Sequence, residues 1–458
     1  QLLAEDVWNE VRETKYQEAS PLFELLVQSF SNDRSDDGLT AVVMKVFEFA
    51  NARPNPQKWL QQLNRGYQWP VASAFVDSDF YQTQLKPLLH DQLAELQAQI
   101  RLLEQQADAQ ELTGLATALA KDQQQLRDLQ SLLTSASWDQ IQTAFNLFKL
   151  TRPKASKILP EQKAAKQQLM DQRKQLKLQF EKLTERFFTA DEQQLRKIND
   201  QSSQLVGELS QTVQSFMQAF TNEKRRRHLL DFSDVEHLAL QILGNQTKAG
   251  QQVRASLQEQ FQEVLVDEYQ DTNQLQEAIL QQLTQPDPGN LFMVGDVKQS
   301  IYGFRQADPT MFLQKYQTFA QSDSPGQRIL LAENFRSAAN IDDFINLLFA
   351  QLMDPKIGGI AYDQAAQLKF GANYYPELPQ DEVEIDLFNA ADQTKQQEKA
   401  VDNSGPEPYQ TDFSVDSKTQ GEIRLVGRRI KKLLHSQQIY DRQTKKMRLV
   451  EPQDIALL

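Results

Sequence analysis

The chain has 458 residues, with 49 Lys and Arg against 62 Asp and Glu, a formal net charge of −13 and no cysteine. That length accommodates two or three domains, and the lack of cysteine excludes disulfides and thiolate metal sites, as suits a reducing, cytoplasmic setting. The negative balance excludes a protein that coats polyanions through its overall charge, but not one that binds DNA through a local basic groove, and no apolar run is long enough to span a bilayer.

The first element is an amphipathic helical pattern, Gln1-Leu2-Leu3-Ala4-Glu5-Asp6-Val7-Trp8, which opens without Met. From Leu22 to about Gln82 short helices are expected, with apolar residues three and four apart, as at Val42, Val43, Val46, Phe47 and Phe49. The turn signal Arg53-Pro54-Asn55-Pro56 interrupts them before Trp59, Leu60 and Leu63 resume a helical face. From Leu85 to Phe220 the chain is rich in Gln, Leu, Lys and Glu. Its apolar seams (Leu93, Leu96, Ile100, Leu103; Leu126, Leu129, Leu133; Leu176, Phe180, Leu183, Phe187) predict long helices packed pairwise. Phe145, Phe148, Lys149, Arg152, Lys154 and Lys157 bring aromatic and basic residues together near a break at Pro153 and Pro160. Two readings fit them, a nucleic-acid contact or a helix end with solvated charges. The same two readings fit Lys224-Arg225-Arg226-Arg227-His228. The histidines, His90, His228, His237 and His435, have no metal-ligand spacing and read as surface or packing residues.

The pattern then changes. Glu263-Val264-Leu265-Val266-Asp267-Glu268 is a β-branched apolar run that ends in two adjacent carboxylates, the way a buried parallel strand delivers acids to the carboxyl edge of a sheet. A helical pattern, Leu275 to Leu283, and a Pro/Gly turn lead to a second run, Asn290-Leu291-Phe292-Met293-Val294, followed by Gly295-Asp296-Val297-Lys298-Gln299-Ser300-Ile301-Tyr302-Gly303-Phe304-Arg305. Two strands with polar tips and one intervening helix make a βαβ unit with a nucleotide site at its carboxyl edge. Ile329-Leu330-Leu331 is expected as another short strand, leading into Glu333-Asn334-Phe335-Arg336-Ser337, with a helix over Ile341 to Leu352. Val383 to Phe388 alternates and reads as a strand; residues 389–419 read as a flexible polar loop; Glu422 to His435 is an amphipathic helix; and Asp454 to Leu458 begins another strand.

The chemistry open to these tips is specific. An Asp at a strand end can hold the magnesium of a nucleoside triphosphate, and a neighbouring Glu can deprotonate the attacking water. Alone, Asp267-Glu268 is also what a solvated strand end looks like. The joint set is more informative: Asp-Glu-x-Gln-Asp-Thr-Asn from Asp267, Gly-Asp-x-x-Gln-Ser-Ile-Tyr from Gly295, and Asn334-Phe335-Arg336-Ser337. It resembles motifs II, III and IV of superfamily 1A DNA helicases, the group containing UvrD, PcrA and Rep. The branch it is most similar to is the AddA (also RexA) branch of bacterial ATP-dependent helicase-nucleases. Tyr269 inside the acidic motif, Val297-Lys298 inside the second, Ile357 to Asp363 and Leu368 to Ala372 carry that likeness. Gly303 departs from it, since the branch usually has Arg there.

The resemblance implies an α/β fold, a RecA-like P-loop NTPase core carrying a large all-helical insertion. Residues 1–230 would be that insertion, 231–326 part of the first motor domain, and 327–458 the start of the second, with a flexible loop at about 389–420. The glycine-rich phosphate loop, Gly-x-x-x-x-Gly-Lys-Ser/Thr, does not occur in the sequence, so the chain is expected to begin past motif I, to stop inside the second motor domain, and to be inactive alone. In the parent protein Asp267 would hold Mg2+ beside ATP, Glu268 would be the general base, and Gln299 and Arg336 would read the γ-phosphate. Tyr302 and Phe304 would stack on single-stranded bases, with Arg305 beside them. The implied partners are DNA, both single strands and duplex ends, and a second subunit like AddB or RexB. The implied task is to unwind and process broken ends for recombinational repair. Two alternatives stand: a stand-alone UvrD-like repair helicase, or, for this chain by itself, a non-catalytic DNA- or partner-binding piece.

Overall fold

The structure, a computed structural model, describes residues 2–32, 35–67, 69–155, 159–285, 289–355, 360–374, 383–386, 417–441 and 443–457. Helix accounts for 67% of it, so the α/β character expected is confined to the stretch from Val264 onward. Two compact units emerge, one made of Gln1–Val264, Thr272–Leu291 and Tyr302–Ala307, the other of Leu265–Asp271, Phe292–Ile301 and Asp308–Leu458.

In the first unit, α1 (Leu2–Gln17), α2 (Pro21–Phe30), α3 (Asp37–Asn51) and α4 (Pro56–Gln61) precede α5 (Lys86–Ala109), α6 (Thr113–Ser135), α7 (Trp138–Leu147), α8 (Gln162–Phe187) and α9 (Glu192–Arg226). Their starts follow local chemistry. Ser20 and Asn55 cap α2 and α4, each with Pro in the first turn, and Asp191 opens α9 with a capping box closed by Gln194. The predicted seams are core. Leu89, Leu93, Leu96, Ile100 and Leu103 of α5 pack with Leu126, Leu129 and Leu133 of α6 and with Leu176, Phe180 and Leu183 of α8. A second core joins Trp8, Leu26, Val43 and Leu60 to Leu209, Val213 and Phe216 of α9. At 35 residues, α9 is about 52 Å long and serves both cores, Leu195 packing on the first and Phe216 inside the second.

One buried ion pair ties this bundle together. Asp122 of α6 accepts from Arg173 Nε of α8 at 3.0 Å and from the Thr151 backbone N–H at 2.7 Å, while Arg173 Nη2 donates to the Thr151 carbonyl at 2.7 Å. In the aromatic-basic group nearby, the rings are engaged in the core. Phe145 stacks on Phe180 at 5.7 Å and Phe148 lies 4.1 Å from the same ring, so both are packing residues, whereas Lys149, Arg152 and Lys154 are exposed. Lys157 lies outside the described residues. Most of the basic cluster ending α9 is paired within the chain, Arg225 remaining exposed. Lys224 is buried and donates to Asp231 at 2.8 Å and Asp234 at 2.7 Å; Arg226 and Arg227 pair with Glu223, whose carboxyl their hydrogen bonds hold down at about 2. His228, at φ 56°, ends the helix in the left-handed conformation, with Leu229 N bonded to the Lys224 carbonyl.

Next come α10 (Phe232–Leu243), α11 (Lys248–Gln260), β1 (Val264–Val266), α12 (Gln274–Leu283) and β2 (Leu291–Met293). α10 packs against α12, and Leu275 N bonds to the Ala52 carbonyl at the end of α3. Val264 N donates to Asn290 O at 2.8 Å and Val294 N to Val266 O at 2.8 Å. The partners ascend together, so β1 and β2 run parallel around α12 as the βαβ reading requires. One expectation fails: β1 and β2 are not buried. Leu265 is 72% exposed, and Phe292 and Val294 are also exposed. A parallel sheet is buried only where helices cover both of its faces, and the face that carries Leu265 and Phe292 is left open among the described residues.

Beyond lie α13 (Pro309–Thr318), β3 (Glu333–Asn334), α14 (Ala339–Leu352), β4 (Lys369–Phe370), α15 (Ser417–Ser436), β5 (Gln438–Asp441) and β6 (Lys446–Leu449). β3 pairs with β4 in parallel, and β5 with β6 in an antiparallel hairpin. Three expected strands are corrected here. Ile329–Leu331 is irregular, the strand beginning only at Glu333; Val383–Asp386 and Ile455–Leu457 are irregular as well. None of the three pairs with a strand among the described residues, and alternation of side chains makes no strand without a hydrogen-bonded neighbour. Residues 387–416, most of the expected polar loop, lie outside the described residues, as do Ile357 to Gly359.

Candidate functional site

The carboxyl ends of β1 and β2 build one polar constellation inside the second unit. Asp267 and Glu268 follow β1 and are both exposed. Asp267 Oδ1 accepts the Glu268 N–H at 3.0 Å, and Glu268 adopts φ 49°, a left-handed conformation unusual for a residue with a Cβ. Its side chain is held from behind. Gln270, buried at 1% exposure, donates through Nε2 to Glu268 Oε2 at 2.7 Å and accepts the Asp296 N–H on Oε1 at 2.9 Å. One amide therefore joins the acid of the first tip to the backbone of the second. Tyr269, fully buried beside Phe312, anchors the same turn, and its N–H bonds to Val294 O at 2.9 Å. Asp271 completes the turn with Oδ1 buried and without a hydrogen-bond partner; burial, and then the Glu268 charge, push its carboxyl pKa up.

Asp296 organises the second tip. Its Oδ1 accepts the Lys298 N–H at 3.0 Å and pairs with Lys298 Nζ at 2.9 Å; its Oδ2 accepts Gln299 Nε2 at 3.0 Å. Gln299 is thus exposed but held. Tyr362 stacks on Phe349 and donates to Asn346 at 2.7 Å, and its phenol pKa is raised by burial first and by the Asp296 charge second.

Arg336 lies in the turn after β3, and Asn334 shapes that turn. Asn334 Oδ1 accepts the N–H groups of Arg336 at 2.7 Å and Ser337 at 3.1 Å, while its Nδ2 donates to buried Asp342 at 2.9 Å. The Arg336 side chain is exposed.

Tyr302, Phe304 and Arg305 form a 3-10 turn within the first unit. The two rings sit 5.8 Å apart, and the Arg305 guanidinium lies 5.1 Å from the Tyr302 centroid and 5.6 Å from that of Phe304. Phe304 is 72% exposed, a large apolar ring left open to solvent. At Gly303 an added Cβ would meet nothing within 4 Å, so the turn has room for the Arg its resemblance leads one to expect.

Residues 72–320 match the UvrD/REP helicase N-terminal domain. The chain belongs to this family. Its likeness to individual members extends along its whole length. It is 43% identical over 464 residues to the A subunit of the ATP-dependent helicase/nuclease of Ligilactobacillus salivarius, an alignment that takes in 100% of this chain and 36% of the relative. The same-named proteins of Lactiplantibacillus plantarum and Latilactobacillus sakei are 43% and 41% identical, with 36% and 51% of their lengths covered. The chain therefore spans about a third to a half of these relatives. A UvrD/REP domain implies a RecA-like fold, and the parallel β1-α12-β2 unit with its polar tips is the part of that fold that carries the candidate site.

For a UvrD/REP-family chain, the residues that sequence reasoning quoted within the motifs but gave no role are the supporting ones: Gln270, Gly295 and Asn334. A signal existed for Gly295, a glycine wedged between a strand end and an acid. A Cβ there would stand 2.6 Å from Gln270 Oε1 and 3.2 Å from Tyr269 N. Gly295→Ala should therefore displace Gln270 and cost about 1–3 kcal/mol, as overpacking does. Urea unfolding checks this, and a midpoint matching the parental one would show that the bridge yields easily.

Proposed function

We propose that the full-length protein is an ATP-dependent DNA helicase with an associated exonuclease, acting on double-strand ends in recombinational repair as a cytoplasmic enzyme. Residues 1–230 serve in this reading as the helical insertion, 231–326 as part of the first motor domain, and 327–458 as the start of the second. The observation that carries the proposal is the Gln270 bridge, which fixes an acidic pair at one strand tip against the Asp296–Gln299 loop at the next.

The donor set suits a magnesium nucleotide. Among the described residues no three metal-ligating side chains cluster, and Mg2+ is ordinarily held by one or two carboxylates with phosphate oxygens and water supplying the rest. Asp267 is the carboxylate in place for it. Bound there, the ion would neutralise charge developing on the phosphates. Glu268 orients and deprotonates the attacking water. Gln299, aligned by Asp296, and Arg336, on the turn held by Asn334, contact the γ-phosphate. The second subunit in this reading is AddB- or RexB-like. The test is strand separation and DNA-stimulated ATP hydrolysis by the full-length protein on blunt duplex; an inert enzyme with intact fold would overturn the reading.

Tyr302, Phe304 and Arg305 take the single strand. Phe304→Ala in the full-length protein should weaken oligothymidine binding by about 1–3 kcal/mol with little sequence dependence, while Phe304→Trp retains it, since stacking needs a π-face. Salt should weaken the parental and Ala forms with similar slopes, because the lost contact is not to phosphate. Fluorescence titration at several salt concentrations measures both, and unchanged affinity in the Ala form removes Phe304 from the DNA path.

A further inference from the structure

We propose that the outer face of α15 is a second nucleic-acid contact, a basic stripe that binds the phosphate backbone. The proposal rests on the DNA-motor reading above. Its starting point is a charge asymmetry. Residues 417–449 hold ten Lys and Arg against only Glu422 and Asp441, in a chain whose net charge is −13.

The fold sorts these cations into two sets. Arg429 faces inward and pairs with Glu384, and Arg448 on β6 pairs with Asp454, Nη1 to Oδ2 at 2.6 Å. Arg424, Arg428, Lys431 and Lys432 are exposed and make no ion pair among the described residues. At 100° per residue these four fall within about 100° of arc, with His435 inside the same sector. The half-buried residues Arg429, Ile430, Leu433 and Leu434 line the opposite side. The stripe is therefore a property of the helix face and not of composition alone.

Such a stripe works against the helix that carries it. Arg424 and Arg428, Arg428 and Lys431, and Arg428 and Lys432 are like-charge neighbours three or four residues apart, an arrangement that destabilises a helix unless a counter-charge is supplied. From Arg424 to Lys432 the stripe extends about 12 Å along the axis, comparable with three or four phosphate steps of one duplex strand. The β5–β6 hairpin packs on α15 through β6 and adds exposed Lys445 and Lys446 at its turn. A row of exposed cations without aromatic rings suits phosphates, which carry no sequence information.

The experiment uses the full-length protein with Arg424, Arg428, Lys431 and Lys432 all changed to Gln, which keeps helix propensity and removes the charge. Binding of labelled oligothymidine and of a blunt duplex is titrated by anisotropy across a salt series, with circular dichroism and the thermal midpoint as folding controls. Each phosphate contact contributes about 0.7 to the log–log salt slope on a single strand and about 0.9 on a duplex, so the slope should fall by about 2–4 on whichever substrate the stripe holds. A loss confined to the duplex, or confined to the single strand, identifies which one that is. The charge-retaining variant Arg424→Lys/Arg428→Lys should keep the parental slope. Unchanged slopes on both substrates in a folded quadruple variant overturn the proposal, even if that variant loses an acidic protein partner instead. If the parental protein binds neither substrate, the DNA-motor reading falls with it, an outcome distinct from loss of the stripe alone.

Discussion

Glu268→Gln in the full-length protein is expected to reduce ATP turnover by about 10²–10⁴-fold while leaving nucleotide binding largely intact, the range a general base typically contributes. The local structure explains why the substitution should be clean. Gln270 Nε2 donates to a Glu268 carboxylate oxygen at 2.7 Å, and a glutamine carbonyl accepts the same bond. Size, the bridge to Asp296 and the left-handed backbone at residue 268 are all retained; only the ability to take a proton is lost. Asp267→Asn should behave differently and weaken magnesium-dependent binding. Single-turnover hydrolysis alongside a nucleotide titration separates the two. A Glu268→Gln enzyme that fails to bind ATP yet turns over each bound molecule at the parental rate would contradict the assignment of roles.

Asp122→Ala carries the largest expected stability effect. Asp122 is 0% exposed and Arg173 is 5% exposed. Removing the carboxylate leaves a buried guanidinium held only by the Thr151 carbonyl and strands the Thr151 N–H. Removing one member of such a pair costs about 3–5 kcal/mol, much more than the pair contributes over an apolar replacement. The companion variant Asp122→Leu/Arg173→Met should recover most of the loss, short of the cost of the Thr151 amide. Urea unfolding of both variants gives the comparison. An Asp122→Ala protein as stable as its parent would mean that water reaches Arg173 and that the bundle is looser than its packing indicates.

The helices were legible because their cause is local. The seams at Leu93, Leu96 and Ile100 and at Leu176, Phe180 and Leu183 state which face is buried, and caps such as Asp191 state where a helix begins. The strands were less legible, because a strand is a relation between distant segments. Val264–Val266 found its neighbour across α12; Ile329–Leu331, equally apolar, has none among the described residues. At the candidate site the reactive carboxylates and Gln299 could be read from their spacing. The residues that orient them could not. Gln270 looks like any polar residue of a turn until the fold buries it between Glu268 and Asp296, and Asn334 becomes a turn-former only once Asp342 is placed beneath it. Charge runs were the most ambiguous class. Lys224 to Arg227 and Arg424 to Lys432 look alike as sequence, yet carboxylates take up Lys224, Arg226 and Arg227 of the first, whereas Arg424, Arg428, Lys431 and Lys432 stay exposed.

The placement of aromatic residues also determines what light can report. All four tryptophans, Trp8, Trp59, Trp69 and Trp138, precede residue 139. Trp138 is buried against Phe188 with its indole N–H on the Ala190 carbonyl at 2.9 Å. The indole emission of this chain, excited at wavelengths where tyrosine does not absorb, is therefore a gauge of the helical region alone, because the strand tips carry tyrosines such as Tyr269 but no tryptophan. Melting followed at the indole band records loss of the bundle, while rearrangements around Glu268 and Gln299 pass without signal. The Phe304→Trp substitution proposed for the stacking test would change that. Its exposed ring would emit to the red of buried Trp138, giving nucleotide and strand binding a spectral reading of their own.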